Sequence, residues 1–197
     1  MRRSRIAAAL AVAATFVARP VAAEAIRSVY TALDLDKCRH RAGKAEEDYG
    51  TWTCRGYAGI RVHVAAGDQR TYISFGRNAE KEPAAEQTLA AFNSEGKVIE
   101  WRLAGEGENA KPFATIIRWS TTVGDQDPPV RGQVLVITRL GPGGVCHVGY
   151  VDARVNPDAN ALAQKLADER ARAFRCGTDK AMVEGKIGPG FSKPSGD

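Results

Sequence analysis

Histidine and cysteine are scarce in this chain of 197 residues, with three of the first and four of the second. What they fail to form is informative. His40, His63 and His147 are widely separated and share no metal-ligand spacing, so each reads as an ordinary surface or hydrogen-bonded histidine before it reads as a ligand. No cysteine spacing is C-x-x-C, which removes zinc-ribbon and thioredoxin-like chemistry. The sequence has no G-x-S-x-G, no Walker loop and no H-E-x-x-H. "GPGGVC" resembles a phosphate loop but no helical pattern follows it, so it reads as a turn. No cofactor and no metal are expected. After the first 23 residues no apolar run is long enough to span a bilayer, so no stable membrane insertion is expected.

The start of the chain suggests a compartment. "MRRSRIAAALAVAATFVARPVAAEA" has a basic opening, a short apolar run from Ile6 to Val17 and small residues before Ala23 and Ala25. This pattern predicts a secretory signal over 1–23, cleaved after Ala23 or, as second choice, Ala25. The Arg2–Arg3 pair leaves twin-arginine export open beside the Sec route. The net charge of +5 rests on 28 basic against 23 acidic residues. Removing residues 1–23 takes four arginines and no acid, leaving 24 against 23, or +1. The excess of positive charge is a targeting feature, and nucleic acid is not an expected partner. A periplasmic or secreted, soluble protein is expected.

In such a compartment Cys38, Cys54, Cys146 and Cys176 predict two disulfides. Of the three possible pairings, Cys38–Cys54 and Cys146–Cys176 close the shortest loops and agree with the element order below. A single domain is expected over 24–177.

Along that domain, "IRSVYTALDLD" fits a short helix or a first strand equally well. "KCRHRAGKAEEDYG" reads as a charged, solvated loop, with an anion-binding patch as the sharper reading. "IRVHVA" and "RTYISF" each alternate with period two around "AGDQ". With Gly67-Asp68 as a two-residue turn, Val64 pairs with Thr71 and Val62 with Ile73. Ile60, Val62, Ile73 and Phe75 then share one face, and Arg61, His63, Tyr72 and Ser74 the other. That second face is the candidate binding site, set against an ordinary solvated sheet face.

Further on, "AAEQTLAAF" predicts a short helix between Pro83 and Asn93. "KVIEWRL" and "PFATIIRWS" predict a hairpin with Ile99, Trp101 and Leu103 on one face and Phe113, Thr115, Ile117 and Trp119 on its partner's. Trp52, Trp101 and Trp119 read as core rather than as stacking platforms. Pro128 and Pro129 keep "GDQDPPVRG" out of any strand. "QVLVITRL" is apolar on both faces and marks a central strand, and "VCHVGYVD" follows the Gly-Pro-Gly-Gly turn. The clearest helix starts at Asn156-Pro157, with Asn156 as its cap and Asp168 and Arg172 spaced to pair. The tail 178–197, rich in Gly, Pro, Ser and Lys, predicts disorder. The fold class is α+β: a curved antiparallel sheet or partial barrel of six or seven strands with a C-terminal helix packed on it.

Taken together, "YTALDLDKC", "WTCRGYAGIRVHVAAGDQRTYISFG" and "NALAQKLADERARAFRC" resemble a group of small exported proteins of alphaproteobacteria. The resemblance covers most of the chain beyond the signal and carries no catalytic or ligand residue with it. The architecture is also similar to that of periplasmic lysozyme inhibitors, but their Ser-Gly-x-x-Tyr loop has no counterpart, since "RGYAGI" lacks the serine. With no catalytic constellation, the first expectation is a non-enzymatic binding or accessory protein of the cell envelope whose partner is a periplasmic protein or a small ligand. The alternative is a hydrolase-like enzyme using His63 and nearby carboxylates.

Overall fold

The computed structural model describes residues 24–43 and 49–195. The expected signal segment lies outside them. The strands in chain order are β1 (Ile26–Ala32), β2 (Arg39–Ala42), β3 (Tyr49–Arg55), β4 (Arg61–Gly67), β5 (Arg70–Phe75), β6 (Thr88–Leu89), β7 (Phe92–Ala104), β8 (Lys111–Val123), β9 (Val130–Arg139) and β10 (Cys146–Asp152). One α-helix, α1 (Ala159–Arg170), precedes β11 (Met182–Glu184) and β12 (Pro194–Ser195). The fold is α+β, with two main sheets rather than the single curved sheet expected from the strand pattern. A four-stranded antiparallel sheet runs β2-β3-β4-β5, and a six-stranded sheet runs β1-β7-β8-β9-β10-β11. The larger sheet is mixed, because β11 joins β10 in parallel.

Alternation builds three layers from these elements. Val62, Val64, Ile73 and Phe75 of the smaller sheet meet Ile99, Trp101, Leu103, Ile117 and Trp119 of the larger one in the main core. The opposite face of the larger sheet packs under α1, through Ala114, Ile116, Leu135 and Ile137 against Ala163, Leu166 and Ala167. Strand β9 therefore contributes to both cores, as its doubly apolar pattern predicts. Phe113 departs from its expected face. The β7–β8 register slips beside it, between the pairs Arg102–Ala114 and Leu103–Pro112, and the ring turns to the helix side.

Both expected disulfides are present, Cys38–Cys54 and Cys146–Cys176, with Cα separations of 4.7 and 5.8 Å. The second ties the segment after α1 to the start of β10 and closes a loop with a sequence separation of 30. Loop-closure entropy for that length predicts that a Cys146→Ser, Cys176→Ser double variant loses about 3.5 kcal/mol. Urea denaturation under non-reducing conditions measures it. A loss below about 1 kcal/mol would show that the helix is held by its packing alone.

Several local expectations are corrected. Residues 26–32 are a strand, and 39–42 of the presumed charged loop form the edge strand β2, whose side chains are all exposed. The helix expected in "AAEQTLAAF" is absent. Pro83 opens a single 3-10 turn (Pro83–Ala85), and Thr88–Leu89 form β6, since Thr88 and Asn93 are engaged in bonds to Thr71. Asn156 does not cap α1. Its side chain clamps Asp152 and Lys186 with three bonds of 2.8–2.9 Å, so the helix begins only at Ala159. Asp168 does not pair with Arg172 but receives Arg102 Nε and Nη2 at 2.9 and 2.6 Å, because Arg102 is buried beneath the helix and has the greater need of a counter-charge.

The tail is also corrected. Residues 182–184 extend the large sheet, Ser192 is buried, Phe191 packs on the main core and 194–195 pair with β6. Composition suggested disorder, but the glycines here admit close backbone approach. A side chain at Gly149 would collide with Leu166 on one side and with the Met182 carbonyl on the other.

Candidate functional site

The hairpin quoted above turns one residue later than expected. Asp68 and Gln69, both with positive φ (49° and 56°), make the turn, and Gly67 is a strand residue paired with Arg70. Arg70 holds this turn from its far side: it forms an ion pair with Asp68 and donates to the Asp68 carbonyl at 3.2 Å and the Ala90 carbonyl at 3.0 Å. Val64 now pairs with Ile73 and Val62 with Phe75, instead of Thr71 and Ile73. Moving the turn by one residue shifts cross-strand partners by two, so every side chain keeps its face.

Arg61, His63, Tyr72 and Ser74 accordingly share the outer face of the four-stranded sheet, but not as one solvated patch. The 3-10 turns at Ala79–Lys81 and Pro83–Ala85 pack against β4 and β5. Ser74 is wholly buried and its hydroxyl has no partner. Arg61 is exposed and Tyr72 half-buried.

What lies between the arginines and the turns is a groove of about 870 Å3. Thr51 and Thr53 of β3, with His63 and Ala65 of β4, lie along it. Arg39 and Arg41 come from β2 on one side, and Glu80 and Glu86 from the turns on the other, while Arg61 joins from the end of β4. It continues past Ala85 into a hollow of about 760 Å3 lined by Tyr49, Tyr72 and Asp68. The sequence reading missed Thr51 and Thr53, and it placed Arg39, Arg41 and Tyr49 in a charged loop, with an anion-binding patch as the sharper reading, and not on this sheet face. The signal that could have found them is the alternation in "RHR" and "YGTWTCR", whose odd-numbered positions all fall on this face. Glu80 and Glu86 had no such signal, because a turn folded over a strand leaves no period.

His63 is 7% exposed, and its Nδ1 is buried without a hydrogen-bond partner. Burial holds its pKa below the ordinary histidine value, the nearby Glu80 carboxylate opposes that, and the Arg61 guanidinium adds to it. The ring is therefore neutral at pH 7. The other histidines belong elsewhere. His40 is exposed and stacks on Trp52 with centroids 4.7 Å apart, and His147 is buried in the main core. Among the described residues no group of three or more His, Cys, Asp or Glu side chains is placed to hold a metal. No helix among them is long and apolar enough to cross a membrane. The Gly-Tyr-Ala-Gly turn packs inward, with Tyr57 6.3 Å from the Trp101 ring.

No protein-family model, no curated protein and no solved structure matches the chain.

Proposed function

We propose that this is an exported protein of the periplasm or extracellular space that binds a small ligand or partner in the groove on the outer face of its four-stranded sheet, without transforming it. The observation that carries the reading is His63. A buried imidazole nitrogen left without a partner typically costs on the order of 1–3 kcal/mol, and because His63 lines an open, charged groove a rotation of its ring would bring that nitrogen to a ligand there. Two disulfides, the basic and apolar start of the chain and the loss of net positive charge with that segment support export.

A hydrolase is the second reading, favoured by one observation: Glu80 lines the same groove and its charge acts on His63. No hydrogen bond joins the two side chains, and the cysteines, being paired, offer no thiolate.

The test is a screen of short peptides, small carboxylates and phosphates against isotope-labelled protein, read by amide chemical shifts. Binding in the groove moves Thr51, Thr53 and His63 together, and Arg61→Ala weakens it about tenfold while altering stability by no more than about 0.5 kcal/mol. Shifts confined to other surfaces would overturn the groove as the site. Turnover of a bound ester or amide, lost in Glu80→Gln, would replace binding with catalysis.

A further inference from the structure

The groove's charges are sorted by side, apart from Arg61 at the end of β4. The sheet order places Arg39 and Arg41 on the β2 edge, with Glu80 and Glu86 on the turns that pack over β5. None of these four, nor Arg61, forms an ion pair or a side-chain hydrogen bond among the described residues. Ion pairs do form elsewhere: Lys37 with Asp34, Arg102 with Asp168, Arg175 with Asp179. Two opposite rows with no ion-pair partner among the described residues, facing each other across one groove, make it dipolar. Neutral hydrogen-bonding groups lie between them, the hydroxyls of Thr51 and Thr53 and the unpartnered imidazole of His63.

From this arrangement we infer that the groove takes a zwitterion, specifically a short peptide with free termini, its carboxylate towards Arg39 and Arg41 and its ammonium towards Glu80 and Glu86. The inference rests on the binding function proposed above and names the ligand class. Dimensions agree. Adjacent strands lie about 4.8 Å apart, so the β2 edge and the line of β5 are separated by roughly 14 Å. An extended tripeptide spans roughly 10 Å, and the long arginine and glutamate side chains close the remainder. Its amide groups then lie over the threonines and His63, which both donate and accept. A simple anion satisfies only one wall and leaves the glutamates repelling it. A simple amine does the reverse.

Calorimetric titration at pH 7 with trialanine, N-acetyl-trialanine and trialanine amide tests this. Free trialanine should bind, and each capped form should bind about tenfold more weakly or worse. Arg41→Ala should remove the preference for a free carboxylate and keep the preference for a free amine; Glu86→Gln should do the opposite. Equal affinity for the three peptides would overturn the inference. So would a groove that binds N-acetyl-trialanine or inorganic phosphate while ignoring trialanine, and in that case the binding function itself would stand. Silence towards every probe, with no shift at Thr51, Thr53 or His63, would remove both.

Discussion

Replacing Trp101 by alanine lowers the stability of the domain by about 3–5 kcal/mol, the largest loss expected of any single substitution in the main core. Trp101 is fully buried on β7, donates its indole N–H to Thr31 Oγ1 at 2.8 Å and meets the Phe75 ring edge-on at 5.5 Å. It thus joins β1, β7 and the opposite sheet at one point. The backbone of Gly56 lies so close that a Cβ there would fall 2.4 Å from the indole. Such a site cannot collapse around alanine, because three separate segments are shaped to the ring. Urea denaturation measures the loss. A double-mutant cycle sharpens the result: Gly56→Ala should be costly alone and markedly cheaper in a Trp101→Ala background, since the cavity admits the new methyl. Additive effects would show that Gly56 is constrained by its backbone or by Val62 and not by the ring.

The second large effect depends on pH. His147 is fully buried, shares a 2.9 Å hydrogen bond with the Tyr150 hydroxyl and lies edge-on to Trp119, and its Nε2 has no partner. Burial lowers its pKa from 6.5 to about 3. In the unfolded chain the ring takes a proton below about pH 6.5, whereas in the folded protein it stays neutral down to about 3. Below 6.5 the unfolded state therefore binds more protons, and stability falls as pH falls, by up to about 1.4 kcal/mol per unit. Between pH 6 and pH 4 this single residue accounts for roughly 2.5 kcal/mol. Carboxylates also respond to acid, so the quantity to measure is the difference between the native protein and His147→Gln. That difference should shift in favour of the variant by roughly 2.5 kcal/mol across the interval. Parallel stability curves would mean that the folded protein opens to protonate the ring.

Much of the fold was legible in the sequence because alternation is a local signal. The faces of β4 and β5 follow from "RVHV" and "TYISF" whichever of two neighbouring pairs makes the turn, since a shift of two residues leaves parity intact. The disulfide pairing followed from element order in the same way. What could not be read is set by partners remote in the chain. Asp168 has Arg172 four residues on, just past the end of its helix, yet Arg102 takes it, and nothing in the helical spacing announces a buried guanidinium 66 residues earlier. "AAEQTLAAF" has helical composition, but Thr71 and Lys193 draw its backbone and side chains into an extended path. The candidate site divides along the same line. Its floor follows from period two, and its acidic wall depends on turns whose position is fixed where Glu82 and Gln87 accept from the backbone N–H groups of the distant residues Val145 and His147.

The pairing of residues 182–195 with β10 and β6 also bears on time. As the chain is made, β1 has no hydrogen-bonded neighbour until residues 98–104 exist, and β6 has none until 194–195 do. The Ser192 hydroxyl reaches Ala91 across 101 residues of intervening sequence. Structures built from such distant pairings close slowly and late, because long loops must be ordered before any contact compensates for them. The β2-β3-β4-β5 and β7-β8-β9-β10 runs pair neighbour to neighbour along the chain, whereas β1, β6 and β11 take their places only through remote partners.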